Sequence, residues 1–397
     1  MSILILNFYP RILVHFNEWL PGLKSELVMF TRSNYVEQFP DYPRLQGFDN
    51  YLDSGLVELA ALRLHERDPI THIIALDEVD IVRAGRLRDR LGISGQTEAS
   101  GVAFRDKIMM KDLVQRQGIP TANYQGLSNV LDLYDFIVKY GFPVVVKPTD
   151  GMGSSGVSVL RSWESVDDFV SKGIPSGLMV ETFVDGPMYE VDGLSVGGAV
   201  EFLSVGRYID GCLAFKDGVG LFLELVSPDE EIFRRIKQFF LSVWAAFPVP
   251  PVTTFHCEVF HTPSDELFFG EIASRTAGAR VSECIRVSYG VDLDKTATQL
   301  NVGVPAEDLP ALSQPRVMSA VYLIPKRSAT LVRHIEKFPF SWVAEYQPRV
   351  KAGTVISGPQ HSVDTIGSVV FTGANRTELM QHYEELRTFI DLEVVWE

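Results

Sequence analysis

Two glutamates stand in a predicted β-hairpin, where their side chains would face each other. The segments TFHCEVF and LFFGEI are typical of strands, and Pro263, Ser264 and Asp265 between them mark a turn. Folding about that turn places Glu258 opposite Glu271, and directly opposed like charges are unfavourable in a sheet. A cation would relieve the repulsion, and Mg²⁺ prefers one or two carboxylates together with substrate phosphates. A register shifted by one residue would instead turn one glutamate to solvent.

A glycine-rich loop, GMGSSG at residues 151–156, has the G-x-G-x-x-G spacing of a dinucleotide-binding turn. That motif requires a strand before the loop and a helix directly after it. The preceding residues 142–147 are typical of a strand, but the alternation and β-branching of VSVLRS after the loop also favour a strand. The loop is therefore predicted to join two antiparallel strands, which argues against an NAD site. A glycine hairpin without a ligand is the alternative.

Four cationic side chains occur near these elements. Lys147 ends the strand before the glycine loop, and Lys107 begins an earlier helix. Backbone amides of a glycine loop can bind phosphates, and lysine adds a point charge. Arg275 and Arg280 follow Glu271 in the segment EIASRTAGAR. Single lysines and arginines are usually surface residues, but this placement favours a site for a phosphorylated ligand.

Length, charge and cysteine content restrict the class of protein. At 397 residues the chain is too long for one core and suits two or three domains. The net charge of −15 argues against general nucleic-acid binding. No apolar run approaches the roughly 18 residues of a membrane span, and the segment SILILNFYP resembles a first strand rather than a signal peptide. Three cysteines without a C-x-x-C motif indicate neither a disulfide framework nor a zinc site, so a cytoplasmic protein is expected.

The order of the predicted elements divides the chain into three units. Residues 1–100 alternate strands and helices and are predicted to form an open, mostly parallel, Rossmann-like sheet. Residues 101–185 contain a helix, the strand–loop–strand unit and a further strand. Residues 186–397 contain the glutamate hairpin and a long helix that is predicted to begin with Ser227 as N-cap and Glu230 as its capping-box partner.

Four further residues are candidates for substrate contacts. Asp77 and Glu78 directly follow the strand THIIAL, at the carboxyl end where parallel sheets place ligands, and either could hold an ammonium group. A solvated loop is the alternative for both. The aromatic residues Tyr208 and Phe215 could line a side-chain pocket, with core packing as the alternative.

Taken in order, these motifs resemble a known family. Lys107, VVVKP with Lys147, GMGSSGV, VETFVDGP, Glu258 and GEIASR are similar to the ATP-grasp superfamily, and more narrowly to the carboxylate–amine ligases that join amino acids. The resemblance covers about residues 100–300. It implies an α/β (α+β) fold, in which an N-terminal Rossmann-like domain precedes the ATP-grasp subdomains and a small C-terminal α+β part.

The resemblance also implies a role for each motif residue, with ATP and Mg²⁺ as cofactors. The loop would be a mobile hairpin over the phosphates. The expected contacts are Lys107, Lys147, Gly153, Ser154 and Ser155 with phosphate, Glu181, Phe183 and Val184 with adenine, Glu258 and Glu271 with Mg²⁺, and Arg275 with the transferring phosphoryl group.

The sequence departs from the family pattern at two positions. Met188 stands where a ribose-binding glutamate is common, and Glu190, on the same face of the strand, is the candidate replacement. Ala273 stands where a metal-binding asparagine is common, which leaves the number of Mg²⁺ ions open. Arg280 is the candidate for binding a carboxylate or an acyl phosphate.

The expected activity is ATP-dependent amide or peptide-bond formation through an acyl phosphate, releasing ADP and phosphate. The substrates would be a small carboxylate and a small amine, as in specialised-metabolite biosynthesis, and a homodimer would be usual for the family. Two alternatives remain: an ATP-grasp ligase that joins a carboxylate to a thiol or makes a carboxyphosphate, and an ATP-binding module that has lost catalysis.

Overall fold

The computed structural model describes residues 1–210, 218–306, 315–359, 361 and 363–397. Phe215 and Cys212 lie outside the described residues. Within the described ranges, the strands form sheets of four, eight, three and four strands.

The N-terminal sheet is entirely parallel, as predicted, with the strand order β3-β2-β1-β4. The predicted helix that ends at Gly92 is also present, and Gly92 has the left-handed backbone (φ 68°) that favours glycine at this position. Strand β3 was not predicted from the sequence. The elements of this region are β1 (Ser2–Asn7), α1 (Phe16–Trp19), β2 (Leu27–Arg32), β3 (Leu45–Phe48), α2 (Leu56–Arg67), β4 (Ile70–Ala75) and α3 (Glu78–Leu91), with short 3-10 helices at Arg11–Leu13, Pro21–Leu23 and Ser33–Gln38.

A second, antiparallel sheet carries the glycine loop. Its strand order is β5-β8-β6-β7, and the loop joins the antiparallel neighbours β6 and β7, as predicted. Helices α6 and α7 pack their apolar faces on this sheet. The elements are α4 (Glu98–Ala103), α5 (Lys107–Arg116), β5 (Tyr124–Leu127), α6 (Val130–Tyr140), β6 (Val144–Pro148), β7 (Ser158–Leu160), α7 (Trp163–Ser171) and β8 (Leu178–Thr182).

The eight-stranded sheet has the order β13-β12-β9-β10-β11-β14-β18-β16, and a small sheet β17-β15-β19 lies beside it in the C-terminal part. The elements are β9 (Met188–Val196), β10 (Ala199–Tyr208), β11 (Phe222–Leu225), α8 (Glu231–Trp244), β12 (Val252–His261), β13 (Leu267–Ala273), α9 (Val281–Tyr289), α10 (Leu293–Asn301), β14 (Met318–Pro325), β15 (Ala329–Arg333), β16 (Val343–Pro348), β17 (Val355–Ile356), β18 (Thr365–Gly373), α11 (Arg376–Glu393) and β19 (Val395–Trp396).

The two faces of strand β12 lie in different environments, because successive side chains of a strand point to opposite sides. Phe255, Cys257 and Val259 enter a hydrophobic core beneath helix α8. The alternate residues His256 and Glu258 therefore lie on the opposite face. The same two-residue period separates core from polar residues on the neighbouring strand β9.

The predicted start of helix α8 is wrong. The helix begins at Glu231, and residues 227–230 form a turn instead. The Ser227 amide donates to the Glu230 carboxylate at 3.3 Å, while that carboxylate also pairs with Arg207 at 2.5 Å. Glu230 is held by its ion pair with Arg207 on strand β10. Ser227 and Glu230 therefore form a turn that ends just before the first residue of helix α8, Glu231.

Gly193→Ala is expected to reduce the free energy of unfolding by about 1–3 kcal/mol. A Cβ at Gly193 would collide with the Phe202 carbonyl and lie 2.6 Å from the Phe255 ring. Urea denaturation measures the change, and Gly55→Ala is the control because a Cβ there meets nothing within 4 Å. Equal stability of the two variants would contradict the close packing of strands β9 and β10.

Candidate active site

The hairpin β12–β13 brings the two predicted metal-binding glutamates together. A β-bulge interrupts the ladder at this point, so that Glu258 on β12 faces both Gly270 and Glu271 on β13. Both carboxylates are partly accessible, with 23% of each side chain exposed. The predicted register is therefore correct apart from the extra residue of the bulge.

Lys107 links the glycine loop to this hairpin. It is the first residue of helix α5, where Asp106 caps the helix by accepting from the Met109 amide. The Lys107 ammonium donates to the Gly151 carbonyl at 2.6 Å and lies 3.3 Å from the Glu271 carboxylate. One lysine thus contacts both the predicted phosphate loop and the predicted metal site.

The loop between β6 and β7 has the backbone that its glycines favour. Gly153 and Gly156 have φ angles of 60° and 71°, and Ser154 shares this left-handed conformation at 59°. Gly153 and Ser155 are exposed, and the Ser155 amide donates to the Met152 carbonyl at 3.1 Å. The loop is a compact, largely exposed turn, and Lys107 contacts it at Gly151.

Glu181 on β8 lies between two buried lysines. Its Oε1 is 2.6 Å from the Lys147 ammonium on β6, and its Oε2 is 2.9 Å from the Lys111 ammonium on α5. Burial by itself would raise the pKa of Glu181, but the two lysines outweigh it and lower the pKa to about 2. The sequence analysis missed Lys111, although its position four residues after Lys107 on a helix signals that both point to one side.

The segment after Glu181 contains Phe183 and Val184, the residues predicted to hold adenine. Strand β8 ends at Thr182, so Phe183 and Val184 lie beyond the strand. The Phe183 amide donates to the Pro143 carbonyl at 3.2 Å, and the Arg161 guanidinium lies 5.4 Å from the centre of the Phe183 ring. Phe183 is thus held on both its backbone and its ring.

Arg275 is bound to the start of helix α3 by an ion pair with Glu78. Its Nε donates to the Glu78 carboxylate at 2.7 Å, and Arg105 binds the other oxygen of the same carboxylate. Burial alone would raise the pKa of Glu78, but Arg275 and then Arg105 lower it to about 2. The solvated-loop interpretation of Asp77 and Glu78 is therefore wrong, because both are buried and Asp77 caps helix α3.

Arg280 lies apart from the lysine cluster. It precedes helix α9 with a left-handed backbone (φ 64°), and only 9% of its side chain is exposed. Its guanidinium pairs with Glu283 at 3.2 Å and with Glu345 on β16. The described contacts tie Arg280 to the C-terminal strands, and its predicted contact with a carboxylate or acyl phosphate stays a prediction.

A buried cluster of polar residues lies on the same face of the sheet as Glu258. Asp192 contacts the His256 ring at 3.0 Å, and Tyr208 donates to Glu190 at 2.6 Å. Burial and then Asp192 raise the pKa of Glu190 well above its usual value. Glu190 is fully buried and Met188 packs in the core, so the predicted ribose contact of Glu190 stays a prediction. Tyr208 takes its alternative role in the core.

The glutamate pair fits a magnesium ion by its donor set. Glu258 and Glu271 offer only oxygen atoms, face each other on rigid strands and remain partly accessible, as an ion shared with phosphates requires. Among the described residues, Glu190, Asp192 and His256 form a second group whose ligand atoms lie within 4.8 Å of one another. That group is buried and already joined by direct hydrogen bonds, so the accessible pair is the better candidate.

Comparisons with known proteins agree with this geometry. The family described as carbamoyl-phosphate synthase L chain, ATP binding domain, matches residues 106–191. An L-arginine-specific L-amino acid ligase of Bacillus subtilis is 24% identical over 367 residues, which cover 89% of this chain and 87% of the relative.

Two solved structures have the same fold over nearly their whole length. An L-amino acid ligase from Bacillus licheniformis superposes with a TM-score of 0.81 at 18% identity, covering 100% of this chain and 98% of that one. A carboxyaminoimidazole ribonucleotide synthase from Aspergillus clavatus, solved with ATP, gives a TM-score of 0.76 at 14% identity and covers 99% of both chains.

The chain has the ATP-grasp fold that its motifs predicted, and residues 106–191 match the ATP-binding domain family. Within that class it is similar to the L-amino acid ligases along nearly all of its length. Among the described residues, no helix is long and apolar enough to span a membrane.

Glu78→Gln is expected to reduce the free energy of unfolding by roughly 3 kcal/mol near neutral pH, because it leaves two buried arginines without their carboxylate. The folded-state pKa of Glu78 is about 2, against 4.5 normally, so its stabilisation is present above pH 4.5 and is lost as pH falls toward 2. The difference in free energy of unfolding between wild type and variant should therefore become smaller as the pH falls from 4.5 toward 2. Urea denaturation at a series of pH values measures it.

Glu66→Gln is the control, since Glu66 is exposed on helix α2. A Glu78→Gln deficit that stays constant from neutral pH down to acid unfolding would contradict the assigned ion pairs.

Proposed function

We propose that this protein is an ATP-dependent, ADP-forming carboxylate–amine ligase that joins amino-acid-like substrates in the cytoplasm. The observation that carries the proposal is that three cations act on one carboxylate of the hairpin, Glu271. The Lys107 ammonium lies 3.3 Å from it, and Lys147 and Arg275 also interact with it electrostatically. Cations for a polyphosphate thus lie next to carboxylates for the metal ion that accompanies it. The L-amino acid ligase relative supports amino acids as the substrates.

The proposed reaction has two steps. A substrate carboxylate attacks the γ-phosphate of ATP, which forms an acyl phosphate and releases ADP. An amine then attacks the acyl carbon, forms the amide and displaces phosphate. Neither step needs a covalent bond to the protein, so catalysis would depend on positioning and on charge compensation.

Each of the proposed site residues would help to compensate the negative charge of the phosphates. Lys147 and Lys107 would bind the phosphates, and Arg275, oriented by Glu78 at 2.7 Å, would stabilise the phosphoryl group in transfer. Mg²⁺ held by Glu258 and Glu271 would neutralise phosphate charge when bound. Glu181 with the backbone of Phe183 and Val184 would hold adenine.

The glycine loop would protect the intermediate from water. Gly153, Ser154 and Ser155 form an exposed turn that the Lys107 side chain tethers at Gly151 by a 2.6 Å hydrogen bond. An acyl phosphate hydrolyses readily, and a loop that closes over the phosphates would exclude water.

In this arrangement residues 1–100 form the N-terminal domain, residues 101–185 the subdomain with the loop, and residues 186–397 the subdomain with the metal site.

Phosphate release with ATP and Mg²⁺, measured across a panel of amino acids singly and in pairs, tests the proposed function. We expect release only with particular pairs, and a product lighter by one water than the sum of the two amino acids in mass spectrometry. ATP binding without any product across amino acids and other small carboxylates and amines would contradict the ligase assignment.

Glu271→Gln is expected to lower the rate of ADP formation by at least about a hundredfold, because the metal site loses one of its two carboxylates. The measurement is ADP release with the best substrate pair. Glu266→Gln is the matched control, an exposed glutamate in the turn of the same hairpin. Near-wild-type turnover of Glu271→Gln would rule out the metal assignment.

A further inference from the structure

Lys111 is a buried cation that the proposed mechanism does not use. Its exposed fraction is 1%, and it lies on helix α5 at the junction of both antiparallel sheets. Its ammonium is 2.9 Å from Glu181 on β8 and donates to the Thr121 hydroxyl at 3.1 Å and to the Gly270 carbonyl on β13 at 3.4 Å. The ammonium thus makes two hydrogen bonds and one ion pair, with partners on three separate segments.

Glu181 pairs with two lysines, one at each carboxylate oxygen. Lys147 occupies Oε1 at 2.6 Å and Lys111 occupies Oε2 at 2.9 Å. The two lysines differ in accessibility: 12% of the Lys147 side chain is exposed, against 2% for Lys111. Lys147 also lies near the end of the strand that precedes the glycine loop, whereas Lys111 is buried and contacts Thr121 and Gly270 as well as Glu181.

A phosphate ligand would change this balance. If Lys147 turns to the phosphates of ATP, it leaves Oε1 of Glu181, and a buried carboxylate without a counter-ion is strongly unfavourable. Lys111 is in place to remain as its partner, because its position is set by Thr121 and Gly270 as well as by Glu181.

We infer that Lys111 is a positioning residue: it is the fixed counter-ion of Glu181 and frees Lys147 to bind nucleotide phosphate. The inference rests on the proposed function only in that Lys147 binds the phosphates of ATP. The Lys111 ammonium also donates to the carbonyl of Gly270, the residue before the proposed metal ligand Glu271.

The test compares Lys111→Met, Glu181→Gln and the double variant with wild type. Binding of the non-hydrolysable analogue AMP-PNP with Mg²⁺ is measured by calorimetry, and melting of the nucleotide-free protein is measured alongside. Lys111→Met is expected to weaken AMP-PNP binding by about tenfold or more, since Lys147 is then retained by Glu181. Lys172→Met is the control, because Lys172 is exposed and its ammonium pairs with the exposed Asp168 at 2.7 Å.

The double variant distinguishes positioning from a structural role. Glu181→Gln alone is expected to weaken AMP-PNP binding, but in the Lys111→Met background it should strengthen binding, because it removes the carboxylate that retains Lys147. A purely structural lysine would give the same loss from Glu181→Gln in both backgrounds. Lys111→Arg, which keeps the charge, should bind AMP-PNP within about threefold of wild type.

If Lys111→Met does not fold, the double variant is compared with Glu181→Gln. The inference then predicts little further loss of affinity from removing Lys111, and a further loss of about tenfold would overturn it. If Lys111→Met binds AMP-PNP with wild-type affinity, this inference is overturned and the proposed function is not affected. Absence of AMP-PNP binding in the wild-type protein would instead overturn the proposed function and this inference with it.

Discussion

The proposed active site depends on the pairing of charged side chains that are largely removed from water. An ionised side chain that is removed from water needs a partner of opposite charge, and removing one partner of a buried pair costs several kcal/mol. Glu181 is held by Lys111 and Lys147, and Glu78 is held by Arg105 and Arg275. These pairs connect elements that are distant along the chain, so the same contacts that stabilise the fold also set the positions of the proposed catalytic groups.

The sheets supply the rigid frame for these charges. On strands β9 and β12 one face packs under helix α8. The other face carries Glu190, Asp192, His256 and Glu258 between apolar residues of a second core, among them Met188, Leu194 and Phe260. Lys107 contacts both Gly151 of the glycine loop and Glu271 beside the bulge, so the loop and the proposed metal site lie close together. The ion pair of Arg275 with Glu78 connects this region to the start of helix α3.

Local patterns in the sequence predicted the local structure well. The glycine loop between two strands, the facing of Glu258 and Glu271, and the parallel N-terminal sheet all follow from alternation, turn residues and glycine positions. The family motifs predicted the fold in the same way.

Contacts between distant segments were not predictable in this manner. Nothing in the sequence near Arg275 indicates that its partner is Glu78, because 197 residues separate them. The true start of helix α8 depends on the pairing of Glu230 with Arg207 on another strand, and the short strand β3 has too few residues to show alternation. Lys111 could have been found from its helical spacing to Lys107, but its partner Glu181 could not.

The central claim is that a substrate carboxylate attacks the terminal phosphate of ATP. It is tested most directly by supplying the carboxylate substrate labelled with ¹⁸O and following the label by mass spectrometry. The account predicts that the released phosphate carries one ¹⁸O atom per amide formed, since the acyl phosphate transfers a carboxylate oxygen to phosphate. Label in AMP, or amide formed with unlabelled phosphate, would contradict it.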